Sequence, residues 1–188
     1  MRAKGFVSLG GLRVGPRKPG QLYVCPLTKV VETVRATGAR SLVTILTAGA
    51  ASARPSEIEP PRHLRLSVSD IDVPTDGHVL PGAEHVERLL AFLHDWDRSA
   101  PLVIHCYAGV SRSPAAAFIG ACALSPNRSE MEIARDLRSA SPHATPNRRF
   151  VALADRMLDR KGRMLEAVAA IGRGADCFES KPFAMELQ

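Results

Sequence analysis

Residues 101–117 read PLVIHCYAGVSRSPAAA, and this stretch decides how the rest of the chain is understood. Pro101 to His105 is an apolar, β-branched run of strand length, the composition of a strand buried on both faces. Ser113 and Pro114 stand where a helix is capped and begun, and Ala115, Ala116 and Ala117 are strong helix formers. Between strand and helix lies a glycine-containing loop from Cys106 to Arg112, in the pattern His-Cys-x5-Arg-Ser.

A loop of this length, turning from a strand end to a helix start, can curl its backbone N–H groups inward around one anion. The helix dipole adds positive charge at the same point. Tyr107, Ala108, Gly109, Val110 and Ser111 supply those N–H groups, and Gly109 allows the turn without a Cβ clash. Arg112 closes the loop with a planar fork that matches two phosphoryl oxygens. Amides and a guanidinium around Cys106 favour its nucleophilic thiolate. The Ser113 hydroxyl can donate to the sulfur, and His105 can order the loop through its ring nitrogens. The result is an oxyanion cradle with a nucleophile at its base, suited to attack on a phosphate ester through a phosphocysteine that water then hydrolyses.

Working outward, Gln21 to Cys25 reads as a short strand. Thr28 is placed to cap a helix running to Thr37 and closed by Gly38. Ser41 to Leu46 (SLVTIL) reads as a buried strand, residues 47–62 as an Ala- and Pro-rich loop, and Leu64 to Val68 as the next strand. Asp70 to Leu80 is a polar loop. Pro81 opens a helix with Val86, Leu89, Leu90, Leu93 and Trp96 on one stripe. Beyond the central loop, the residues from Ser129 to Glu132 form a capping box. A further helix begins near Thr145 and Pro146, with Phe150, Leu153 and Met157 on one face, and Met164 to Ile171 reads as a last one. The tail from Arg173 is expected to be loosely ordered. Alternating strands and helices predict an α/β fold: a central, mainly parallel sheet of four to five strands flanked by helices. In such sheets ligands sit where strand ends enter helices, and Cys106 lies at that point.

The 188 residues, 45% hydrophobic and 23% charged, predict a single domain over 1–188 and exclude disordered, collagen-like and coiled-coil chains. No run approaches a membrane span or the apolar core of a signal peptide, so a cytoplasmic protein without membrane partners is expected. The net charge is +6. Its basic residues are dispersed: one cluster is Arg13, Arg17 and Lys18. A second, from Arg156 to Arg163, alternates with Asp155, Asp159 and Glu166 as a solvated helix face does. No aromatic platform interleaves with them, so no nucleic-acid partner is expected, and the field suits phosphorylated substrates. Cys25, Cys106, Cys122 and Cys177 form no Cys-x-x-Cys pair and have no His at zinc spacing, so neither metal nor cofactor is expected, and a reducing compartment is. The Gly10 to Pro16 stretch is turn-like, with no helix after it to make a nucleotide loop.

The signature loop resembles that of the cysteine-dependent protein tyrosine phosphatases. Its His105 to Pro114 segment is especially similar to the dual-specificity group, as in a small bacterial member. The resemblance runs from about Leu64 to Met157, with the signature-bearing part about 64–160. It implies Cys106 as nucleophile, Arg112 as phosphate clamp and Ser113 as leaving-group helper. The Ala144 to Phe150 helix start is also similar to the family's, where it is structural. Rhodanese-type sulfurtransferases have one residue fewer between Cys and Arg. Low-molecular-weight phosphatases and arsenate reductases carry the loop at the N-terminus, and receptor-type domains have a W-P-D loop that this chain lacks.

Expelling an alkoxide or phenoxide needs a proton donor. The resemblance implies an Asp just after the strand upstream of the loop, which leaves Asp70, Asp72 and Asp76. Asp70 follows the strand directly and is preferred as general acid. Asp72 is the alternative on the same side of an extended segment, and Asp76 can cap the turn at Gly77. Asp70 and Asp72 are not a calcium loop, since Pro74 stands at the next ligand position. The expected substrate is phosphotyrosine in a phosphorylated protein, with phosphoserine and phosphothreonine as extensions. A phosphoinositide or other small phosphate ester is the alternative, disfavoured by the uncharged loop residues 107–111. A catalytically dead phosphate-binding module is a third reading, and it would have lost the nucleophile, the Arg or the acid.

Overall fold

The computed structural model describes residues 8–9, 12–13 and 20–187. Near the start, β1 (Ser8–Leu9) pairs antiparallel with β2 (Leu12–Arg13). The turn-like residues between them, and Arg17 and Lys18 of the first basic cluster, lie outside the described residues.

The principal sheet contains β3 (Leu22–Pro26), β4 (Ser41–Leu46), β5 (His63–Ser67), β6 (Leu102–Cys106) and β7 (Phe183–Met185), in the order β5-β4-β6-β3-β7. The first four run parallel, and β7 lies antiparallel to β3 at the edge. Every residue of β3, β4 and β6 is buried, as their nearly unbroken apolar sequences require of central parallel strands. Among the described residues six helices cover the sheet: α1 (Val30–Thr37), α2 (Ala83–Asp95), α3 (Arg112–Leu124), α4 (Glu130–Ala140), α5 (Arg148–Met157) and α6 (Arg163–Ile171).

Two apolar clusters divide by sheet face. Val24, Val43, Ile45, Ile104 and Cys106 share one face with residues of α2 to α6. Tyr23, Cys25, Leu42 and Val103 share the other with Val30 and Val34 of α1 and Ile58 of the following loop. The small side chains of Ala115, Ala116, Ala117 and Gly120 let α3 run buried through the larger cluster, directly behind the signature loop.

Several boundaries differ from those the sequence predicts. Thr28 does not cap α1; Leu27–Lys29 forms a turn of 3-10 helix, and the Thr28 hydroxyl donates instead to Glu179 Oε2 at 2.8 Å. Gly38 does close α1, in the left-handed conformation at φ 69°. The helix α3 starts earlier than Ser113, with Ser111 at its N-cap and Pro114 inside the first turn, where a missing N–H costs nothing. Asn147, rather than Thr145, caps α5, accepting the Phe150 N–H at 2.9 Å. The Ser129–Glu132 capping box forms as its sequence predicts. Beyond Arg173, where the sequence offers no element, the chain returns to supply β7.

Candidate active site

Cys106 ends β6 and Arg112 begins α3, so the loop between them caps the carboxyl end of a central strand. Its geometry follows from where its carbonyls go. His105 Nδ1 lies 3.4 Å from the Cys106 carbonyl. The Leu27 N–H donates to Tyr107 O at 3.0 Å, the Ser180 N–H to Ala108 O at 2.9 Å, and the Thr145 N–H to Val110 O at 2.8 Å. The Ser180 hydroxyl donates to Gly109 O at 3.0 Å. Ser111 O accepts from Ala115 N–H at 3.0 Å and Asn147 N–H at 3.4 Å. Every carbonyl from 106 to 111 therefore has a donor, while the N–H groups of 107–111 have no partner among the described residues. Since a peptide is planar and trans, holding each carbonyl outward turns the next N–H inward.

Gly109 makes the reversal at φ 72°, where a Cβ would collide with Ser180 Oγ and lie 3.0 Å from Pro26 N. Cys106 is buried, and the Ser113 hydroxyl donates to its sulfur at 3.0 Å. That use of the hydroxyl is why Ser113 is unavailable as a helix cap. Arg112 is buried too, with one terminal nitrogen donating to Val68 O at 2.9 Å. Its Nε has no hydrogen-bond partner although it is shielded from solvent. A buried guanidinium N–H without an acceptor is costly unless an anion completes it.

Asp70 stands over this loop. Its Oδ1 accepts from Ser111 Oγ at 2.6 Å and from Asn147 Nδ2 at 3.1 Å, and its Oδ2 lies 3.8 Å from Arg112 Nε. Asp72 and Asp76 are exposed and make no hydrogen bond or ion pair among the described residues. The structure thus brings Cys106, residues 107–111, Arg112, Ser113, His105 and Asp70 together, and leaves Asp72 outside that set.

His105 is fully buried, and burial, opposed by its bond to Cys106 O, pushes its pKa down to about 4. The imidazole is therefore neutral near pH 7. Burial likewise raises the thiols of Cys25 and Cys122 to about 12, which leaves them inert next to the loop cysteine. His85 is buried and accepts the Gly82 N–H at 3.1 Å, fixing the start of α2.

Sequence reasoning misses two contributors. Asn147 lies in a segment read as structural, yet it joins Asp70 to α5. Ser180 gives no sequence signal at all, because its partners lie some 71 residues away. Among the described residues no group of three His, Cys, Asp or Glu side chains is placed to hold a metal ion, and no helix is long and apolar enough to cross a membrane.

No family model matches this chain, and no curated protein matches it. Solved structures do. A mouse protein assigned as a dual specificity phosphatase, crystallised with zinc tungstate, superposes with a TM-score of 0.56 at 21% identity, over 87% of this chain and 98% of that one. Human DUSP28 gives 0.58 at 18% identity, over 77% and 96%. PTPMT1 in complex with PI(5)P gives 0.51 at 18% identity, over 73% and 91%. The chain has the fold of the dual-specificity phosphatases.

Proposed function

We propose that this protein is a cysteine-dependent, metal-independent phosphatase that hydrolyses phosphotyrosine in proteins. The observation that carries the reading is the outward tethering of all six carbonyls from Cys106 to Ser111, which leaves a ring of N–H groups over a buried thiol. Arg112 Nε, buried and without an acceptor, is a further donor for a phosphoryl oxygen. Such preorganised donors stabilise charge without reorganising during the reaction. The mouse relative's tungstate is a tetrahedral oxyanion of the same kind.

In the first step the Cys106 thiolate attacks phosphorus and the ester P–O bond breaks. Asp70 gives its proton to the leaving oxygen. Two donors already occupy Oδ1, so Oδ2 carries that proton. In the second step Asp70 takes a proton from water as the water oxygen attacks phosphorus. The S–P bond breaks, and the Ser113 hydroxyl donates to the departing sulfur. Inorganic phosphate leaves.

Support for an aryl substrate comes from Tyr107, an aromatic residue of the loop itself that is 62% exposed. The uncharged loop 107–111 argues against a polyphosphorylated headgroup. The free cysteines fit a reducing, cytoplasmic compartment. The test is hydrolysis of a phosphotyrosyl peptide in the presence of a metal chelator, with phosphoinositide vesicles in parallel, by the parent and by Cys106→Ser. Peptide turnover that survives the chelator and falls to background in the variant is expected. Turnover by Cys106→Ser, or a preference for the vesicles, overturns the mechanism or the substrate respectively.

A further inference from the structure

Thr44 interrupts the apolar strand SLVTIL and is itself fully buried, a position where a hydroxyl is unfavourable unless it is paired on both sides. It is so paired. The parallel register sets Thr44 directly beside His105, and sets His63, at the start of edge strand β5, beside Leu42 two residues earlier. The Thr44 hydroxyl oxygen lies 2.7 Å from His105 Nε2 and 2.8 Å from His63 Nε2. All three side chains project from the sheet face opposite Cys106, the face that α1 covers.

The proton positions follow by elimination. The Cys106 carbonyl can only accept, so His105 Nδ1 carries the hydrogen that bridges them. The ring being neutral, its Nε2 is a bare acceptor, and the single Thr44 proton must point to it. The Thr44 oxygen then accepts, and His63 Nε2–H is the donor. The chain runs from His63 to Thr44 to His105 to the Cys106 carbonyl, with each group in one defined role.

From this chain, and resting on the phosphatase reading above, we propose that Thr44 and His63 are positioning residues that act on the nucleophile loop through the sheet. They hold His105 in the Nδ1–H tautomer, His105 holds the Cys106 carbonyl outward, and the planar peptide thereby aims the Tyr107 N–H into the cradle. Without the Thr44 hydroxyl, His105 is free to take the other tautomer, which cannot donate to Cys106 O. A cradle N–H is then lost although every residue of the signature loop is intact.

The experiment is long-range proton–nitrogen NMR of histidine-labelled protein at neutral pH, with aryl phosphate turnover and inhibition by inorganic phosphate measured on the same samples. The parent should show His105 as the Nδ1–H tautomer and His63 as Nε2–H. Thr44→Val should mix the His105 tautomers, weaken inhibition by inorganic phosphate, and lower turnover on the order of tenfold, as a small misplacement of reacting groups does. Thr44→Ser should restore all three. Should Thr44→Val fail to fold, His63→Leu at the half-buried sheet edge makes the same test. A parent His105 in the Nε2–H form overturns the proposal. So does a folded variant with the parent's tautomer, or with its phosphate inhibition unchanged. If the parent hydrolyses no phosphate ester, the phosphatase reading fails; the relay is then judged by the tautomers and by direct titration with inorganic phosphate.

Discussion

The two halves of the site are built in opposite ways. The loop from Cys106 to Ser111 is stitched to the turn after β3, the C-terminal segment, the chain entering α5, its own helix and the His105 ring through every carbonyl it has. The segment from Asp72 to Val79 is exposed throughout, closed at its base by Ser69 N–H to Val79 O at 2.8 Å, and joined to the loop through Asp70 and to Asn147 through the Ile71 carbonyl. On the proposed mechanism, this difference makes anion binding and proton delivery separable. The first is a property of the whole scaffold, whereas the second depends on a few bonds at the root of an exposed loop, of the kind that opens at low free-energy cost.

That separation can be broken most severely at Arg112. Arg112→Lys keeps the charge but not the fork that spans Val68 O and a phosphoryl oxygen. It should reduce kcat/KM on every phosphate ester by about 10³, as loss of an oxyanion donor does. A near-parent value would mean that the backbone N–H groups suffice. Next comes the acid. Asp70→Asn should lower turnover of unactivated phenyl phosphate by roughly 10²-fold or more while sparing an activated nitrophenyl ester. Asp72→Asn should do neither, and the reverse pattern would transfer the role to Asp72.

A smaller effect tests the stitching itself. Gly109→Ala forces a Cβ against Ser180 Oγ and the β3 backbone at positive φ, and should cost more than about 1 kcal/mol in denaturant unfolding. Ser180→Ala removes one hydrogen bond and should cost about 1 kcal/mol. If Ser180→Ala costs as much as Gly109→Ala, the C-terminal segment braces the loop more than its bonds indicate.

Smallest is a pH effect under the loop. The pKa values of His63 and His105 fall from 6.5 in the unfolded chain to about 4 when folded, chiefly through burial, so the unfolded state binds more protons between those values. Stability is full above pH 6.5 and declines as pH falls toward 4. The depressed carboxylates Glu57, Glu130 and Glu132 act only below about 4.5, since they start from that ordinary value. Melting temperatures between pH 6.5 and 5 therefore isolate the histidines. His63→Gln should flatten that slope, and an unchanged slope would assign it elsewhere.

The signature segment was legible because its chemistry is local: strand, inward loop, Arg and helix start lie within residues 101–117 and need only their own backbone geometry. The buried strands were legible for the same reason, as apolar runs of the right length. Asp70 was preferred over Asp72 from its place directly after a strand, but the contacts that set it apart were not legible, because Ser111 and Asn147 arrive from other elements. Helix starts at Thr28 and Ser113 were misplaced because a hydroxyl that could cap a helix is drawn to a partner distant in sequence, Glu179 in one case and the Cys106 sulfur in the other.

Sequence by itself determined the α/β class, the nucleophile loop as a candidate and the short menu of acids, all consequences of periodicity and near-neighbour chemistry. Tertiary structure alone decided which carboxylate faces the loop, that Ser180 braces it, and that Thr44 joins two histidines behind it. Those choices depend on strand order and register, and residues 19 to 77 positions apart meet only when the tertiary fold sets them side by side.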